Sequence, residues 1–203
     1  MALASCNASA PGSLMLLGEH AVLYGEGALA CAAGGRIRVC ATERADRTVS
    51  LTSSHGRCAM PLEEWRLHPG LTFACAAVAQ MIDRLERGAD LAIESGIDAD
   101  RGFGTSGAVV AAVLGALGGL TPDPPGADEL RAMAVAAVRA AQSGAGSGAD
   151  AAASLSGGVI FYRPDISFVK KWSPDLPLAW GYCGYKTPTP DVIRRGAAFR
   201  PQE

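Results

Sequence analysis

Glycine crowds around hydroxyl and carboxyl side chains at two places, and those two places limit what this chain can fold into. Gly102-Phe103-Gly104-Thr105-Ser106-Gly107 precedes an apolar helical stretch, and Gly146-Ser147-Gly148-Ala149-Asp150 precedes an alanine-rich one. Loops of this kind present unpaired backbone N–H groups at helix N-termini, where negative charge is stabilised and phosphate oxygens fit. Asp150 adds a carboxylate set among small residues, suited to take a proton from an attacking hydroxyl. A phosphate cradle and a separate base are the minimal equipment for phosphorylating a small molecule.

The bulk numbers fit an enzyme of this kind and exclude other classes. Of 203 residues, 49% are apolar but only 6% aromatic, so the core must be built from Ala, Val, Leu and Ile. The 25 glycines exceed the usual share of about 7%. They gather at the two loops and around Gly34-Gly35, which argues against low-complexity disorder. A net charge of −2 gives no footing for nucleic acid or an anionic membrane as partner. The six cysteines form no C-x-x-C pair and only three histidines are present, so the expectation is reduced thiols in a cytoplasmic protein without a structural metal. Leu3-Ala4-Ser5-Cys6 looks like a lipoprotein cleavage box, but no basic or apolar leader precedes it. The uncharged run from Gly102 to Pro122 contains six glycines and reads as a buried helix rather than a membrane span.

Strands are expected over Ser13–Leu17, Ile37–Thr42 and Thr48–Ser53, the last two joined across the charged turn Glu43–Arg47. Apolar spacing predicts a helix from Leu71 to Arg87, a strand over Leu91–Ile97 and a helix from Ala108 to Leu117. A second surface helix should run from Asp128 to Gln142, with Asp128 and Glu129 favourably placed in its first turn. Beyond the loop at 144–150 come a helical turn and the strand Val159–Tyr162. The expected class is α/β (α+β).

Gly102-x-Gly104-x-x-Gly107 also satisfies the dinucleotide-binding fingerprint, so an oxidoreductase is an alternative. That motif belongs to a first βαβ unit with an acidic residue ending the next strand. Here it follows a hundred residues, and Asp123 falls in a proline-rich turn. A P-loop is excluded because no Gly-Lys-Ser/Thr follows the glycines.

Three segments together resemble the GHMP kinase superfamily, in its mevalonate and phosphomevalonate kinase branch. Ala10-Pro11-Gly12-Ser13-Leu14-Met15-Leu16-Leu17-Gly18-Glu19-His20-Ala21-Val22-Leu23-Tyr24-Gly25 is similar to the N-terminal motif of mevalonate kinases. Gly102 to Ala108 resembles the family's phosphate loop, and Gly146 to Asp150 with Gly157-Gly158 resembles the segment carrying the catalytic aspartate. The resemblance implies a ribosomal protein S5 domain 2-like ATP-binding domain over residues 1–175 and the start of an incomplete C-terminal domain over 176–203. It implies ATP and Mg²⁺ as cofactors, the nucleotide held by Gly102, Gly104, Thr105, Ser106, Gly107 and Ala108, and Ser106 as metal ligand. Asp150 would be the catalytic base, with Glu19, His20, Ser147 and Gly148 at the acceptor. From the residues alone, Asp150 also reads as a helix cap and His20 as a core histidine.

Ser13 stands where mevalonate kinases have Lys, and Arg139 where they place a Mg²⁺-binding Glu eleven residues before the aspartate. These departures keep open a catalytically impaired nucleotide-binding relative, and the acceptor is open between mevalonate and its phosphate. Lys186-Thr187-Pro188-Thr189 resembles the entry to the C-terminal domain, so a homodimer or a separate chain supplying that domain is the expected partner beside the small-molecule substrate.

Overall fold

The computed structural model describes residues 3–98, 101–164, 168–173 and 177–185. Within these residues seven strands form one sheet: β1 (Ser5–Leu17), β2 (Ala28–Glu43), β3 (Thr48–Ser53), β4 (Gly56–Pro61), β5 (Ala89–Ser95), β6 (Val159–Arg163) and β7 (Phe168–Trp172). Among the described residues four α-helices accompany it: α1 (Thr72–Ala79), α2 (Thr105–Gly118), α3 (Ala127–Ala141) and α4 (Ala149–Ser156). The order is β4-β3-β5-β2-β6-β7, with β1 paired to the other edge of β2.

Alternation along the strands shows why the sheet is covered on one face. Val49 and Leu51, Ala89 and Leu91, and Ile37, Val39 and Ala41 are buried, while Arg38, Cys40, Ala92 and Glu94 between them are exposed. A half-solvated sheet of this pattern is the antiparallel habit. Only the β3–β5 pair is parallel among the described strands. That settles the dinucleotide alternative, because its fingerprint needs the parallel neighbours of a doubly wound sheet.

β2 organises the molecule. Its residues Ile37–Glu43 pair with β5, its residues Ala28–Cys31 pair with β6, and β1 runs along both halves. The change-over falls at Gly34-Gly35, which β1 skips by a register shift between Pro11 and Gly12. The strands expected at 13–17 and 37–42 are therefore the C-terminal portions of much longer ones. Although the charged turn joins them, β2 and β3 do not pair with each other. β5 lies between them, and Arg44 at the turn bonds Asp46 at 2.7 Å and Asp90 of β5 at 2.8 Å.

α2 is buried nearly all round. Leu114, Leu117, Val110 and Val113 have no exposed surface, each stabilising by about 1.5–3 kcal/mol relative to exposure. At 14 residues it is roughly 21 Å long, short of the ~30 Å of a bilayer core. Among the described residues no helix is long and apolar enough to cross a membrane. The helix expected from Leu71 to Arg87 stops at Ala79. Tight bonds from Gln80 to Ala77 and from Met81 to Val78 end it, and a 3-10 turn at Ile82–Arg84 follows. The tightening keeps both Met81 and Leu85 in the core while the chain turns into β5.

Candidate functional site

β1 ends at Leu17, and Gly18-Glu19-His20 leads into a 3-10 turn at Ala21–Tyr24, closed by the Val22 N–H donating to Gly18 O at 3.0 Å. Glu19 and His20 are exposed and line one wall of a cavity of about 390 Å³. His20 is therefore not a core histidine. Val22 and Leu23 of the same turn pack into a small apolar cluster with Ala149, Ala152 and Ala153 of α4 and with Tyr162 of β6. One cluster thus fixes both the Glu19-His20 turn and the helix that carries Asp150.

A further part of the lining comes from the loop after β5. Phe103 is buried, and its carbonyl accepts the Ser13 N–H at 3.0 Å, tying the loop to β1. Gly104 then takes φ of +58°, where a side chain would also collide with the Ser13 hydroxyl. α2 starts at Thr105, and its first helical bond runs from Ala108 N–H to Gly104 O at 3.1 Å. The earlier N–H groups have no partner within the helix, and the helix dipole adds positive potential there. Gly102, Gly104, Thr105 and Ser106 all line the cavity.

Asp150 sits in the first turn of α4 and lines the same cavity with Gly146, Ser147 and Gly148. Gly148 occupies the N-cap position, so Asp150 is not the cap, and Ser147 Oγ accepts the Ala149 N–H at 3.2 Å. Burial pushes the Asp150 carboxyl above the usual range, opposed by the N–H groups of Ala151 and of Asp150 itself.

Nine of the residues singled out from the sequence meet at this cavity. Gly107 and Ala108 do not: both are buried on the packed side of α2. Gly107 instead lets α2 and α4 touch, since a β-carbon there would stand 2.7 Å from Ala151 N. Arg139 lies in the last turn of α3, exposed and off the cavity lining, although its charge acts on Tyr162. Ser13 is buried at 4% exposure and lines the cavity where a longer side chain would fill it.

Sequence reasoning missed two features. Tyr162 Oη donates to Ser147 O at 2.7 Å, a contact that no local pattern announces. A second, apolar cavity of about 340 Å³ adjoins the first through Thr105 and Ser106. Its walls are the Ser53–His55 turn between β3 and β4, the start of α1 at Leu71–Ala74, and Ile37, Ile93 and Val109.

A nucleotide and its metal can be tested against these residues. Thr105 Oγ1 is buried without a hydrogen-bond partner, which costs free energy until a ligand supplies one. It stands where the two cavities meet, beside the free amides of α2. The donor set fits a polyphosphate. Among the described residues no group of three His, Cys, Asp or Glu is arranged to hold a metal alone. A cation would therefore draw on Ser106, a carboxylate and the phosphates themselves.

Fold and site together define a domain that pairs a helix-start anion cradle with a half-buried carboxylate. Residues 72–158 match the GHMP kinases N terminal domain. It is 28% identical over 205 residues to the mevalonate kinase of Thermococcus sibiricus, covering 93% of this chain and 60% of that one. The fold superposes on the Lin0012 protein from Listeria innocua with a TM-score of 0.82 at 19% identity, covering 97% of this chain and 65% of that one. It superposes on phosphomevalonate kinase from Streptococcus pneumoniae with a TM-score of 0.63 at 24% identity, covering 77% and 49%. The chain spans about 60% of the length of such curated relatives.

Proposed function

We propose that this chain carries the nucleotide cradle and catalytic base of an ATP-dependent small-molecule kinase, whose acceptor is mevalonate, phosphomevalonate or a close hydroxy acid. The observation that carries the reading is the shared cavity. The first turn of α2 and Asp150 of α4 line one space, together with Glu19 and His20. The apolar cavity beyond Thr105 suits a nucleobase, which leaves the triphosphate pointing past Ser106 toward Asp150. Mg²⁺-bound ATP would supply the transferable phosphoryl group.

In this reading the amides of Thr105 and Ser106 and their hydroxyls hold phosphate oxygens. Asp150 accepts the proton of the acceptor hydroxyl, and its raised pKa makes it a stronger base than an ordinary carboxylate. Ser147 and Gly148 border the acceptor with Glu19 and His20. The acceptor class follows from the relatives, several of which are named mevalonate kinase, and from the Streptococcus neighbour, determined with phosphomevalonate and AMPPNP. Residues 1–175 are then the ATP-binding domain. The expected entry into a C-terminal domain at Lys186–Thr189 lies outside the described residues.

The test is coupled ADP release across mevalonate, phosphomevalonate and homoserine, alongside calorimetric titration with ATP. Turnover with one acceptor supports the reading. A second reading, binding without catalysis, is favoured by one observation: Arg139 occupies the place of an expected metal-binding carboxylate. Tight ATP binding with no ADP release from any acceptor would select it.

A further inference from the structure

The loop between α3 and α4 is held by few bonds for the work assigned to it. Ser143, Gly144, Gly146 and Gly148 all have positive φ, at 54°, 90°, 97° and 81°. Gly144 N–H donates to Arg139 O at 2.7 Å and Ala145 N–H to Gln142 O at 3.1 Å, which ties the first half back to α3. The second half, Ser147-Gly148, delivers the chain into α4 and so sets where Asp150 points. Its tie to the sheet is the hydrogen bond from Tyr162 Oη to Ser147 O, 2.7 Å long and fifteen residues distant in sequence.

Tyr162 is well placed to hold that end. It is 3% exposed on β6, where it pairs with Ala28 of β2, and its ring sits in the apolar cluster with Val22, Ala149 and Ala153. The ring is therefore fixed by the sheet on one side and by α4 on the other. Burial pushes the phenol pKa up, with Asp150 adding to the rise and Arg139 opposing it, so the hydroxyl remains a donor through the neutral range.

We propose that Tyr162 is a positioning residue for Asp150: its hydroxyl clamps the Ser147 carbonyl, and the clamp aims the first turn of α4 into the cavity. The inference rests on the kinase reading only for Asp150 as base; the clamp is a statement about the loop. Losing the hydroxyl leaves the ring packing intact but frees a junction built from left-handed residues. The catalytic carboxylate then samples orientations that do not face the acceptor hydroxyl, and reactions that depend on near-attack geometry are sensitive to such displacement.

The experiment compares the wild type with Tyr162→Phe by steady-state kinetics and by amide hydrogen exchange. The expected result is a fall in kcat of about tenfold or more, with KM for ATP within about twofold, because the nucleotide cradle on α2 is untouched. Exchange at amides 144–150 should quicken roughly fivefold or more, while α2 and the sheet keep wild-type protection. An unchanged kcat with unchanged exchange overturns the proposal, and so does a variant that fails to fold, which would make Tyr162 a core determinant. If the wild type phosphorylates no acceptor, the kinase reading fails, and the exchange result alone decides whether the clamp exists.

Discussion

A β-carbon built on Gly107 would lie 2.8 Å from the carbonyl carbon of Asp150. The backbones of α2 and α4 therefore touch at the point where one presents its N-terminal amides and the other its carboxylate. This contact sets the distance between the two halves of the site. Phosphoryl transfer depends on such positioning more than on any covalent contribution from the protein.

Gly107→Val should push the helices apart. Overpacking of a close contact costs about 1–3 kcal/mol, so the variant should unfold at lower denaturant with an unchanged slope. Turnover should fall more steeply than stability, because the gap between Ser106 and Asp150 widens. Wild-type stability and turnover would show that the contact is not formed.

Asp150→Asn should lower kcat by about 10²–10⁴, the range for removal of a general base, while calorimetry finds ATP affinity within about twofold of wild type. A variant with full turnover would remove Asp150 from the mechanism.

The pH dependence follows from the raised Asp150 pKa. The base works only when ionised, so the acid limb of kcat/KM should lie above the ordinary carboxylate value of about 3.9. For stability the sign is opposite to that of a salt-bridged carboxylate. A folded-state pKa above the unfolded one means that the native state holds its proton longer, so this group's contribution falls as pH rises through that window. Asp150→Asn should accordingly raise the melting temperature at pH 7, and the gain should vanish below the carboxyl's titration. Thermal melts across pH 3–8 check both signs.

Thr105→Val removes a buried hydroxyl that has no partner in the free protein. Stability without ligand should be unchanged or higher by up to about 1 kcal/mol, since an unsatisfied polar group is lost with little change of shape. ATP affinity should fall about tenfold, the worth of a hydrogen bond to a charged oxygen. Equal ATP affinity in both proteins would show that Thr105 does not meet the nucleotide.

Much of the candidate site was legible before the fold. The segments at 10–25, 102–108 and 146–150 marked both loops and the carboxylate, because steep local demands (left-handed glycines, free amides, a helix start) leave a local imprint. The helix at 127–141 and the strand at 48–53 were read almost to the residue, since α3 has one wet face and β3 alternates cleanly. The 71–87 segment misled because apolar spacing continues through Met81 and Leu85 after the helix has tightened and stopped.

Sequence by itself determined which residues are candidates to bind an anion or take a proton, because that candidacy belongs to side-chain chemistry and to helix starts. Only the tertiary structure decided that β5 inserts between β2 and β3, that an apolar cavity lies beyond Thr105, and that Tyr162 reaches Ser147. Each of these is a meeting of segments far apart along the chain, fixed by burial on one face of a shared sheet, and contacts of that kind leave no periodic signature in any one segment.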